Sequence, residues 1–150
     1  MGAGRLAHEI KTNKWEAQRF LDDYLKTFGG LHEWMEATWR ACEEQQIART
    51  LMGRQRIFGS DDETRPGISV VVQGSAADLM RAALVALDQG GKGPILVVHD
   101  EIICDGALTS GQEVATIMTE AANALWRKVT GSLPVEFTAT PGEGASWGEC

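Results

Sequence analysis

The stretch Pro94 to Asp105, PILVVHDEIICD, constrains this chain more than any other. An apolar run from Ile95 to Val98 meets His99, Asp100 and Glu101, and Ile102, Ile103 and Cys104 then resume the apolar pattern. A short apolar run bounded by Gly and Pro reads as a buried strand. Two such runs with no room for a long connection read as a tight antiparallel hairpin, whose tip then carries adjacent acids. Acids are common at turns for a plain reason: Asp caps its own backbone, and water solvates the charge. The chemical alternative is a carboxylate held on a stiff scaffold to bind a divalent cation. Oxygen ligands of this kind suit Mg²⁺, which keeps some waters and also takes substrate phosphates.

Helical patterns dominate the sequence before the hairpin. Gly2 to Ile10 is short and weakly helical, and Asn13 with Glu16 has the spacing of a capping box that would start a helix from Lys14 to about Phe28. Trp15, Phe20, Tyr24, Leu25 and Phe28 fall near helical spacing and predict one apolar face, and Gly29-Gly30 predicts a stop. A second helix is expected from Leu31 to about Ile47, with Trp34 and Trp39 as packing residues in a stripe with Leu31, Met35 and Thr38. Met52-Gly53 sits between two short runs and reads as a hairpin turn, and the polar segment Gly59 to Gly67, with Pro66, reads as loop. Val70 to Val72 reads as a brief apolar entry into Gln73-Gly74-Ser75, followed by a helix over Ala76 to Asp88.

After the central hairpin, Ser110 and Glu113 repeat the capping spacing and open a helix from about Gly111 to Val129. Its buried stripe is expected to be Val114, Ile117, Met118, Ala121, Ala122 and Leu125. Leu133 to Ala139 alternates apolar and polar residues as a half-exposed strand does, and a Gly-rich tail follows. Strands joined by hairpins, among helices, give an α+β class with an antiparallel sheet covered by helices on one side. The helical residues 1–47 divide from the remainder, 48–150, as a separate lobe.

With 150 residues, the chain has the length of one domain. Its net charge of −7 excludes a simple DNA-coating protein, which would be basic overall, but leaves room for local contacts. Arg49, Arg54, Arg56 and Arg65 crowd one segment, interrupted by Asp61, Asp62 and Glu63, and a solvated charged loop is the plain reading of it. No run of about 18 apolar residues stands out, so no membrane is expected as a partner. MGAGRLAHEIK lacks the apolar core of a signal peptide, and Leu6 sits where a myristoylation signal wants Ser or Thr. Cys42, Cys104 and Cys150 are odd in number and lack CxxC spacing, which reads as reduced thiols in the cytosol.

Three patterns stand in order: Thr50-Leu51-Met52-Gly53-Arg54, then Val72-Gln73-Gly74-Ser75-Ala76-Ala77-Asp78, then Val98-His99-Asp100-Glu101. In this order and spacing they resemble the C-terminal end of family A DNA polymerases, the DNA polymerase I type. The resemblance covers essentially the whole chain: MGAGRLA looks like the segment after the family's fingers helix, and Gly142, Gly144 and Trp147 look like its closing run. It implies that the hairpin belongs to an antiparallel palm sheet and that residues 1–47 derive from the fingers. It further implies that Asp100 holds catalytic Mg²⁺ with Glu101 beside it, and that His99 lies next to the primer end. Gln73 would touch the minor groove of the primer–template, and Arg54 would belong to the same DNA track. Minor-groove acceptors are nearly alike for every base pair, so a glutamine there checks pair shape without reading sequence. The implied partners are primer–template DNA and dNTP, and the implied setting is the cytoplasm of a bacterial or phage-infected cell.

The sequence departs from the family pattern in places. Ser69 stands where many relatives carry Asn, and the segment between Gly53 and Gln73 is short, as in phage members. The family's first metal-binding aspartate, and the lysine and tyrosine of its fingers helix, belong to motifs upstream of anything here. Asp22-Asp23, on a predicted helix, does not replace that aspartate. A two-metal site needs both halves. The chain is therefore expected to need a complementary N-terminal polymerase portion, on the same or a separate polypeptide, and to be inactive alone. Two other classes compete: a non-catalytic DNA-binding remnant, and a metal phosphohydrolase in which His8, His32 and the His99-Asp100 doublet are ligands. The second would place the doublet on a helix, whereas Ile95 to Val98 favours a strand.

Overall fold

In the computed structural model, which describes residues 2–59, 64 and 66–149, the chain divides into two compact units. One comprises Met1–Ala48 and Ile57–Ile68, the other Arg49–Arg56 and Ser69–Cys150. Asp61, Asp62, Glu63, Arg65 and Cys150 lie outside the described residues.

The first unit is built on three helices, α1 (Ala3–Glu9), α2 (Lys14–Thr27) and α3 (Gly29–Gln45). Asn13 caps α2 as its spacing predicts: its side-chain oxygen accepts from the Glu16 N–H at 2.9 Å, satisfying one of the helix's free donors. The core lies between α1 and α2, where Ala3, Leu6, Ala7 and Ala17 are buried with Leu21 packed against them. The predicted aromatic face of α2 is not that core. Trp15, Phe20, Tyr24 and Phe28 are exposed, as is Trp34 on α3, while Trp39 is half-buried. A helical unit this small has too little interior for so many large rings, and small side chains let α1 and α2 approach instead. Gly29-Gly30 also departs from expectation. Phe28, at φ −106° and ψ 57°, makes the bend itself, and both glycines enter the first turn of α3. Gln46 ends α3 in the left-handed region, so Ile47 opens a strand rather than closing a helix.

Strands β1 (Ile47–Arg49) and β2 (Gln55–Ile57) form the expected hairpin, with Gly53 at φ +80° in the connection. Only glycine enters that region without strain. The helix that follows is longer than its composition announced. It runs as α4 (Gly67–Gln89), so Gln73, Gly74 and Ser75 lie inside it rather than before it. By length and composition α4 is apolar enough to cross a bilayer, contrary to the sequence expectation. A core helix meets the same criteria, and α4 carries Asp78 and Arg81 in its middle.

Beyond the second hairpin, α5 (Gly111–Thr130) is capped by Ser110, which accepts from the Glu113 N–H at 3.3 Å. Of the predicted stripe Val114 and Ala122 are buried and Ile117, Met118, Ala121 and Leu125 half-buried, and Ala115 and Asn123 are buried with them, so the stripe also takes in an amide. That amide explains a second correction. Leu133 to Ala139 forms no strand. Phe137 donates its N–H to Asn123 Oδ1 at 2.9 Å, and its carbonyl accepts from Asn123 Nδ2 at 3.0 Å. The Ala139 N–H goes to Thr119 Oγ1 at 3.1 Å, and the Trp126 and Phe137 rings meet at 5.1 Å. Backbone groups that a partner strand would have satisfied find α5 side chains instead.

Candidate active site

Strands β3 (Pro94–Val98) and β4 (Glu101–Cys104) pair antiparallel, with Val98 opposite Glu101, Val97 opposite Ile102 and Leu96 opposite Ile103. Pro94 pairs with Cys104, which leaves Ile95 as the extra residue of a bulge. Two residues, His99 and Asp100, make the turn. His99 takes φ +54°, the positive value that primed hairpin turns require at their first central position. The two adjacent acids are thus divided: Asp100 sits in the turn itself, and Glu101 opens β4. Side chains of neighbouring strand residues alternate between faces, which separates the directions available to the two carboxylates. His99, Asp100 and Glu101 are all exposed, and among the described residues no side-chain hydrogen bond or ion pair engages them.

The hairpin is not the buried element its apolar runs predict. Ile95 is 69 % exposed, and Leu96 and Val97 are exposed as well. The pairing register is the one the sequence implies; the covering layer is what this chain does not supply.

A second group of candidate residues lies where the Thr50–Arg54 loop meets α4. The Leu51 N–H donates to Ser75 Oγ at 2.8 Å, and Arg54 Nη2 donates to the Gly74 carbonyl at 2.8 Å. Arg54 Nε pairs with Asp78 Oδ1. The contact needs a glycine: a Cβ on Gly74 would stand 2.5 Å from Thr50 Cγ2. Asp78 is only 6 % exposed. Burial pushes its carboxyl up, but the Thr50 hydroxyl, the Arg54 guanidinium and the Met52 N–H together outweigh burial and hold it below the ordinary 3.8. Gln73, next to Gly74, is exposed on α4 and makes no side-chain hydrogen bond among the described residues.

Of the predicted residues, Arg54 is held against α4 at the Gly74 carbonyl, Gln73 is exposed one residue earlier on that helix, and His99, Asp100 and Glu101 stand together at the hairpin tip. Asp78, Thr50 and Ser75 were missed as partners, although all three stand inside the patterns singled out in the sequence. Their signal was the i, i+4 spacing of Gly74 and Asp78, visible only once Gln73-Gly74-Ser75 is read as helix. The His99-Asp100 doublet lies in a β-turn, and His8 and His32 are exposed helix residues, an arrangement unlike the helical ligand set of the phosphohydrolase reading. Burial raises the Cys42 and Cys104 thiols, which keeps them protonated and poor as nucleophiles. Among the described residues no group of three His, Cys, Asp or Glu side chains converges as a complete metal cage.

The sequence model of DNA polymerase family A matches residues 1–149. The chain belongs to DNA polymerase family A. The thermostable DNA polymerase I of Thermus aquaticus is 28% identical over 160 residues, covering 98% of this chain and 19% of that protein. DNA polymerase I of Pseudomonas aeruginosa is 30% identical over 165 residues, covering 99% of this chain and 17% of that protein. The chain thus spans about a fifth or less of the length of these family A relatives. The solved POL domain of Pol1 from M. smegmatis, in complex with DNA primer-template and dNTP, matches with a TM-score of 0.67 at 24% identity, over 82% of this chain and 24% of that one. At that identity the likeness is one of fold, and the α+β class expected from the sequence is the class found.

Proposed function

We propose that this family A chain supplies the C-terminal palm portion of a DNA-directed DNA polymerase, which transfers nucleotides to a primer 3′ end under the direction of a template. The observation that carries the reading is the family match over nearly the whole chain, combined with unengaged His99, Asp100 and Glu101 at a two-residue hairpin tip. The fold shared with a POL domain solved with primer-template DNA and dNTP supports those partners.

The donor set at the tip fits half of a magnesium site. Asp100 is exposed and acceptor-only when ionised, and is the group we assign as ligand, with Glu101 in a secondary role. Bound Mg²⁺ would supply charge neutralisation at the attacking 3′-oxygen and the leaving pyrophosphate. Everything else falls to positioning, which carries most of phosphoryl transfer. In this reading His99 lies beside the primer end, Gln73 meets minor-groove acceptors, and Arg54 meets phosphate or a groove edge. The missing carboxylate and the nucleotide-binding lysine and tyrosine come from a complementary N-terminal portion. The exposed apolar strand Ile95–Val97 supports such a complement, because apolar strands are ordinarily covered. A cytoplasmic setting belongs to the same proposal.

The test mixes this chain with the N-terminal portion of a family A polymerase that lacks the matching region, and follows primer extension with Mg²⁺. Extension is expected from the mixture and from neither part alone, and Asp100→Ala is expected to slow it by roughly 10³-fold. Extension at the parent rate with Asp100→Ala would overturn the assignment.

A further inference from the structure

Asp78 is an acid buried in the middle of an apolar helix, and the hairpin-tip chemistry has no use for it. Burying a carboxylate is costly unless it is paired, so its partners indicate what it is for. Its nearest partner is the Arg54 guanidinium of the Thr50–Arg54 loop, and the Thr50 hydroxyl and Met52 N–H of that loop also favour its charged form; Arg81, one turn along α4, stands farther off at 3.9 Å. The loop is fastened to α4 a second time by Leu51 N–H to Ser75 Oγ and a third by Arg54 Nη2 to the Gly74 carbonyl, each at 2.8 Å. Arg54 is thereby held through Nε and Nη2, while Nη1 has no hydrogen-bond partner among the described residues and the side chain stays 42% exposed. A guanidinium is a rigid fork, so fixing one side of it fixes the direction of the other. Gln73, which precedes Gly74 on α4, is exposed.

We propose that Asp78 is a positioning residue: it locks the Arg54 guanidinium against α4 so that the free edge is presented to a phosphate or groove edge of the primer–template. The inference rests on the polymerase reading above. The ordering of Arg54 is completed in the folded protein, before DNA arrives, so binding does not have to freeze a long mobile side chain. Asp78 acts through Arg54 and touches no substrate itself.

The experiment measures KM for primer–template, kcat and the salt dependence of DNA binding for the chain with its complement. The variants are Arg54→Ala, Asp78→Asn and the double substitution. Asp78→Asn is expected to raise KM for primer–template about 10-fold, the size of one charge-assisted hydrogen bond, with kcat nearly unchanged. Arg54→Ala should do the same and lower the slope of log affinity against log salt by about 0.9, one phosphate contact. In the Arg54→Ala background Asp78→Asn should have no further effect on KM, because its only route to DNA is gone. Should Asp78→Asn fail to fold, Arg54→Lys serves: it keeps the charge but not the fork, and should still raise KM. KM at the parent value in Asp78→Asn, or in Arg54→Lys, overturns the positioning role while leaving the polymerase reading in place. A parent mixture that neither binds nor extends primer–template overturns both.

Discussion

His99 occupies a conformation that its side chain does not favour. At φ +54° a residue with a Cβ is strained by about 1–2 kcal/mol, and such strain concentrates at functional sites. His99→Gly should therefore stabilise the fold by about 1 kcal/mol in urea unfolding, and at the same time reduce primer extension by the complemented chain. A destabilised His99→Gly variant would contradict the strain. Asp78 makes a separate prediction about acid. Its folded-state carboxyl is held below its unfolded value, so the unfolded chain binds the proton first as pH falls. Its contribution is complete above the ordinary 3.8 and is lost as pH drops below it, and Asp78→Asn should flatten that acid limb of the stability profile. The turn at His99 and Asp100 was legible in the sequence because three polar residues interrupt two apolar runs. The strain at His99 was not, since histidine is no signature of a turn, and the role of Asp78 depends on a loop that starts 28 residues upstream of it.

At the scale of elements, the sequence reading succeeded where a local signal sufficed. Asn13 and Ser110 announced their helices by capping, and Gly53 announced its turn. It failed where tertiary partners decided. The helix was expected to begin at Ala76, after Gln73-Gly74-Ser75, yet α4 runs through those residues although glycine is a poor helix former. The reason is the 2.5 Å that a Gly74 Cβ would leave to Thr50 Cγ2: the loop needs the space more than the helix needs an alanine. Gly74→Ala is accordingly expected to cost about 1–3 kcal/mol by thermal or urea unfolding, despite its better helix propensity. Adding Thr50→Ser, which removes the offending methyl and keeps the hydroxyl, should recover most of that loss. Additive losses would show that the close approach is not the cause. Leu133 to Ala139 failed for the same kind of reason, its alternation serving contacts with Asn123, Thr119 and Trp126 rather than a sheet.

For the molecule as a whole, the exposed apolar residues are as informative as the buried ones. The α2 aromatics were read as one apolar face from their spacing and β3 as buried from its apolar run, and such patterns report only that a face is to be covered, not by what. The family A relatives are several times longer than this chain, and the proposed N-terminal complement would cover the surfaces that its own residues leave open. In the proposed function Asp100 and Glu101 are half of a donor set, and the division of labour between them is the central claim. The direct measurement is the single-turnover rate of nucleotide addition by the complemented chain at saturating primer–template, dNTP and Mg²⁺, for Asp100→Ala and Glu101→Ala. Loss of a metal ligand removes several kcal/mol of transition-state stabilisation, so Asp100→Ala should slow the step by roughly 10³-fold and Glu101→Ala by clearly less. Equal losses, or a greater loss for Glu101→Ala, would contradict the assignment of Asp100 as the ligand.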